Sequence, residues 1–126
     1  MWLLDGFKRA VDKGDINVLT GIDLYRETAR DIERRLVGVT AANGTEITGY
    51  ATHFIDRVIG QTSEPHPNMR TGVPVEDVLE TLLNVMPGTL RVSAAGRQSQ
   101  QIVGVGNAVA VNPVTGTLIQ VNPIGR

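Results

Sequence analysis

Two short stretches carry side chains that suit chemistry. In YATHFIDRVIG (50–60), His53, Asp56 and Arg57 recur at i, i+3 and i+4. In a helix those positions share one side, while Ala51, Phe54, Ile55, Val58 and Ile59 form the other, apolar one. Histidine offers a base near neutral pH, and a guanidinium grips phosphate in two-point fashion. In GRQSQQIVG (96–104), Arg97, Ser99 and Gln101 fall two apart, which puts them on one face of a strand. Both groups also suit purely structural roles. His53 is then a half-buried histidine paired with Asp56, Arg57 a surface ion pair, and the strand a solvated face. The second histidine, His66, lies in a proline-broken loop and reads as an incidental surface residue.

Other site types find little support. The chain has no cysteine, no HExxH and no paired carboxylates, so no metal set is legible and no cofactor is expected. GVGNAV sits between two strand-like runs, the wrong setting for a dinucleotide loop. There is no GxSxG elbow. Acid/base work on a phosphodiester without a metal remains.

The elements that must position these residues fall into two halves. Leu3, Leu4, Phe7, Ala10 and Val11 mark a first helix that Gly14 can stop. Val18, Ile22, Tyr25, Ala29, Ile32 and Leu36 form the seam of a second, with Thr20 and Asp23 resembling a capping pair. Its other face, Arg26 to Arg35, is a charge run that suits water. Residues 37–49 read as a loop or short hairpin turning at Asn43-Gly44. After the helix holding His53 comes a loop (61–74), and then a helix starting near Pro74 that buries Val75, Val78, Leu79, Leu82 and Leu83.

From Thr89 the period changes to two. TLRVS, RQSQQIVG, AVAVN and TLIQVN are strand-like runs joined by short turns. Leu90, Val92, Ile102, Val109, Val111, Ile119 and Val121 should face the core, with Arg91, Ser93, Ser99, Gln101 and Asn122 on the polar face. The expected fold is α+β: N-terminal helices packed on a four-stranded antiparallel meander. The 126 residues suit a single domain (1–126), and 41% hydrophobic with 20% charged residues is a globular composition. Twelve basic against thirteen acidic residues give no global basic field for nucleic acid. No apolar run reaches the ~18 residues of a membrane span. MWLLDGFKRA is too quickly polar for a signal peptide, and the chain reads as a piece of a longer polypeptide.

Four motifs in order, THFIDR (52–57), GVPVEDVL (72–79), GRQSQQIVG (96–104) and AVAVNPVTGTLIQVNP (108–123), resemble the C-terminal toxin domains of bacterial polymorphic and contact-dependent inhibition systems. They are similar to the metal-independent RNases of the barnase/EndoU/colicin/RelE superfamily. The resemblance spans an RNase-like core at 47–123 and leaves 1–36 as a helical N-terminal extension. It implies a toxin ribonuclease that cleaves tRNA or other RNA by 2′-OH attack, leaving a 2′,3′-cyclic phosphate. It implies His53, Arg57 and Ser99 as catalytic residues, and Arg97, Gln101, Arg91 and Asn122 as substrate-binding ones. It also implies a cognate immunity protein, delivery within a secreted or cell-surface polypeptide, and action in the target-cell cytoplasm. Either a host protein cofactor supplies RNA affinity, or the cleft is locally basic through Arg57, Arg70, Arg91 and Arg97. The alternatives are a non-catalytic binding module, such as an immunity or nucleic-acid adaptor protein, and a structural domain of a phage or secreted protein.

Overall fold

The computed structural model describes residues 2–17, 20–61, 70–86, 88, 91–92 and 96–124. Four helices form: α1 (Trp2–Lys13), α2 (Gly21–Arg35), α3 (Thr52–Ile59) and α4 (Val75–Asn84). The strands are β1 (Gly49–Tyr50), β2 (Gly60–Gln61), β3 (Arg70–Thr71), β4 (Arg91–Val92), β5 (Gln98–Val103), β6 (Asn107–Val111) and β7 (Thr117–Pro123). The main sheet has the order β1-β7-β6-β5-β4, and β2 and β3 make a separate pair.

The fold is α+β. Strands β4 to β7 pair antiparallel in chain order, but β1 adds parallel to β7 through Gly49 and Tyr50, so the sheet is mixed. The helices are not all N-terminal to the strands either, since α3 and α4 follow β1. A two-residue strand is too short to leave a period in the sequence, which is why β1 was illegible.

The helical periods are realised in burial. Ala10, Tyr25, Ala29, Ile32, Leu36, Phe54, Ile55, Val78 and Leu82 join Ile102, Val109, Val111, Leu118 and Val121 in one core. The first 36 residues therefore supply core side chains alongside α3 and the sheet. Val18 and Leu90 lie outside the described residues. Thr20 precedes α2 in a helical conformation and makes no side-chain cap, so the expected capping pair is not formed. Thr40 and Glu46 bridge antiparallel around the Asn43-Gly44 turn, as a short hairpin. Leu83, expected in the core, is 49% exposed, and Val92 is 62% exposed. Leu83 lies past the edge of the apolar stripe, and Val92 sits on the short edge strand β4.

Strand β7 departs from strict alternation. Ala110 pairs with Gln120 but Val111 pairs with Leu118, so Ile119 is the extra residue of a bulge. Leu118 and Val121, three apart, are therefore the buried pair, and Ile119 is only half-buried.

Candidate functional site

Helix α3 begins where Ala51, in extended conformation, donates its backbone N–H to the Leu118 carbonyl of β7. That bond seats the helix along β7 beyond the two residues that β1 covers. Phe54 and Ile55 are fully buried beneath it. Gly60 (φ 84°) ends it. His53 stands in its first turn with a side chain 38% exposed.

A continuous polar chain runs through this helix. The Arg57 Nε donates to His53 Nε2 at 3.1 Å. The Arg57 guanidinium also donates to Asn122 Oδ1 at 2.6 Å. On the far side of the imidazole, Nδ1 faces Asp56 Oδ2 at 3.6 Å and Asp15 Oδ2 at 3.9 Å. Both distances are longer than a hydrogen bond. The Tyr25 hydroxyl donates to Asp56 Oδ1 at 2.8 Å.

Asp56 stands beside His53, as the i, i+3 spacing implies, but it is buried. Its carboxylate is pulled inward by Tyr25, a fully buried residue of the α2 seam. It lies on the Nδ1 side of His53 and Arg57 on the Nε2 side, so Asp56 orients the imidazole. Burial first, and then the charge and hydrogen bond of Asp56, push the Tyr25 phenol far above its ordinary range. The Arg9 charge opposes that rise. Tyr25 is therefore a standing donor to Asp56 at any ordinary pH.

The hydrogen bond to Arg57 fixes the tautomer. A guanidinium only donates, so Nε2 must present its lone pair and the proton of neutral His53 sits on Nδ1. Asp15, His53 and Asp56 each offer a ligand atom, and all three lie within 4.8 Å of one another. A cation there would need the Nδ1 lone pair and a proton on Nε2, the reverse of what Arg57 enforces. The three groups fit a metal only if Arg57 swings away.

The sequence-derived site divides in two. His53, Arg57 and Asn122 come together. Ser99 and Gln101 share the sheet face of Asn122 but not its location. Asn122 is opposite Ala108, which is opposite Val103 on β5. At about 4.8 Å per strand and about 3.3 Å per residue, Gln101 is then ~12 Å and Ser99 ~16 Å from Asn122. Arg97 is exposed just before β5, and Arg91 pairs its backbone with Ser99. His66, Ser93 and the side chains of Arg70 and Arg91 fall outside what the structure describes.

Four residues in and around the cluster were missed by sequence reasoning. Asp15 is 38 residues before His53 and has no periodic relation to it. Tyr25 was placed in the core seam without a role for its hydroxyl. One tyrosine in an otherwise aliphatic seam is itself a signal, because a buried phenol needs a partner. Arg9 and Lys13 of α1 border the same cluster.

Comparison with protein-family models, curated proteins and solved structures finds no match to this chain. Among the described residues, no helix is long and apolar enough to cross a membrane. The fold and the site define an α+β protein with an oriented histidine beside an arginine.

Proposed function

We propose that the protein is a metal-independent ribonuclease with His53 as its acid/base group. The observation that carries the reading is the oriented imidazole: a buried carboxylate behind it, a guanidinium beside it, and solvent access in front. In this mechanism the Arg57 guanidinium leaves Nε2 for the non-bridging oxygens of a bound phosphodiester. Nε2 is then free to take the proton of the ribose 2′-OH. The 2′-oxygen bonds to phosphorus, the P–O5′ bond breaks, and the imidazolium returns its proton to the leaving 5′-oxygen. The products are a 2′,3′-cyclic phosphate and a 5′-hydroxyl. Arg57 stabilises the added charge on the phosphoryl oxygens, and Asn122 holds it within reach. Ser99, Gln101, Arg97 and Arg91 are too far along the sheet for the scissile phosphate, and serve flanking nucleotides in this scheme. Delivery as a toxin domain, with an immunity partner, rests on the motif resemblance alone.

One observation favours a second reading, a non-catalytic binding module. Arg57 occupies the very lone pair that a base needs, as it would if His53 were only a strut between α3 and β7.

Cleavage of RNA by purified protein separates the two. The ribonuclease reading expects cleavage in excess EDTA, none at a 2′-deoxy position, and at least a 100-fold loss in His53→Ala, in line with general acid/base groups. The half-exposed His53 leaves little cavity, so the variant should melt as the unaltered protein does. A rate within threefold of the unaltered protein, or loss on chelation restored by a divalent ion, would overturn it.

A further inference from the structure

The cavity at His53 has a second wall. It measures about 120 Å³ and is formed between α1 and α3. Gly6, Ala10 and Lys13, with Arg9 beside them, lie at i, i+4, i+7 and i+3, the stripe of one helix face. Gly6 and Ala10 are buried where α1 meets α3. A Cβ on Gly6 would come within 2.6 Å of the Thr52 side chain, so only glycine lets the helices approach this closely. That approach brings Arg9 and Lys13 to the edge of the cavity that His53 lines.

Burial separates rim from floor. Arg9 and Lys13 are exposed, whereas Asp56 is buried and Asp15 mostly so. The two carboxylates are engaged below: Asp56 with Tyr25 and His53, and Asp15 with His53. Arg9 and Lys13 stand one turn apart at the rim. Seen from the imidazole, α1 presents Arg9 and Lys13 on one side and α3 presents Arg57 on the other.

We infer that α1 is half of a nucleic-acid track, with Arg9 and Lys13 holding the backbone phosphate next to the one that Arg57 grips. The inference rests on the ribonuclease reading and extends it. The ligand class is a single-stranded polyanion with phosphates spaced to meet cations on both sides of one imidazole. A mononucleotide engages only one side. The first helix is then part of the site and not an appendage to it.

The test is salt-dependent binding of a 2′-deoxy-substituted oligonucleotide, which the protein can bind but not cleave. For single strands log K falls with log salt at about −0.7 per phosphate neutralised. The Arg9→Ala/Lys13→Ala double variant, which loses that one phosphate contact, should therefore flatten the slope by about 0.7. Lys8→Ala, on the opposite side of α1, should leave it unchanged, and Arg9→Lys should retain it. Both target residues are exposed, so thermal melts of all variants should coincide. A slope in the double variant equal to that of the unaltered protein overturns the inference alone. Equal flattening by Lys8→Ala overturns it too, by showing a diffuse charge effect. Failure of the unaltered protein to bind any oligonucleotide overturns the ribonuclease reading with it.

Discussion

Replacing Tyr25 by phenylalanine removes one hydroxyl and keeps the ring. The ring lies edge-on to Phe7, with centroids 5.5 Å apart, and that contact survives the change. What is lost is the 2.8 Å hydrogen bond to Asp56 Oδ1. Asp56 is buried, so bulk water does not replace the donor. Hydrogen bonds to charged groups are worth about 1.5–3 kcal/mol. The phenol's own burial cost is relieved at the same time, so the lower half of that range applies, about 2 kcal/mol. Urea denaturation at neutral pH should show this loss with an unchanged m-value. The loss should also be coupled. In an Asp56→Asn background the hydroxyl faces no charge, and Tyr25→Phe should then cost at least about 1 kcal/mol less. A loss below about 0.5 kcal/mol, or an additive cycle, would refute the claim that Tyr25 anchors the carboxylate behind His53.

Two further outcomes follow from the same packing. Tyr25 and Tyr50 are both raised in the folded state, Tyr25 by burial and then Asp56, Tyr50 by burial and then Glu33. Above pH ~10 unfolded tyrosines release their protons while these two keep theirs, so the folded state holds more protons and stability falls with rising pH. The slope is up to about 1.4 kcal/mol per pH unit per tyrosine, and Tyr25→Phe should remove one share of it. Urea midpoints between pH 9 and 11.5 measure this, and a flat profile contradicts it. Gly116→Ala should cost about 2–4 kcal/mol, since φ is +79° and the new Cβ would overlap the Glu46 carbonyl. Chemical denaturation of that variant showing under about 1 kcal/mol of loss would contradict the assignment.

The helices were legible because each buries a stripe that repeats at helical spacing. The strand runs were legible for the matching reason at period two. What failed was decided by partners distant in sequence. The i, i+3 spacing groups Asp56 with His53 on the polar side of the helix but says nothing of its depth. Tyr25, 31 residues earlier, turns it inward. Ile119 looked buried because it alternates with Val121. The competing demand of Leu118, which closes the core where α3 starts, won through a bulge.

That bulge also connects the core to the candidate site. With Leu118 buried, strict alternation along β7 would turn residues 120 and 122 inward as well. Asn122 would then occupy a core position and could not meet Arg57 from the outer face. The extra residue at 119 reverses the alternation once, so that Val121 packs inward and Asn122 turns out. Arg57 reaches it across the free edge of β7, and the same guanidinium fixes the tautomer of His53. The half of the site that lies on one helix was therefore visible as spacing. The half that sets its geometry depends on a one-residue insertion whose only trace in the sequence is the pair Leu118-Ile119, two aliphatic residues of which the pleat can bury one.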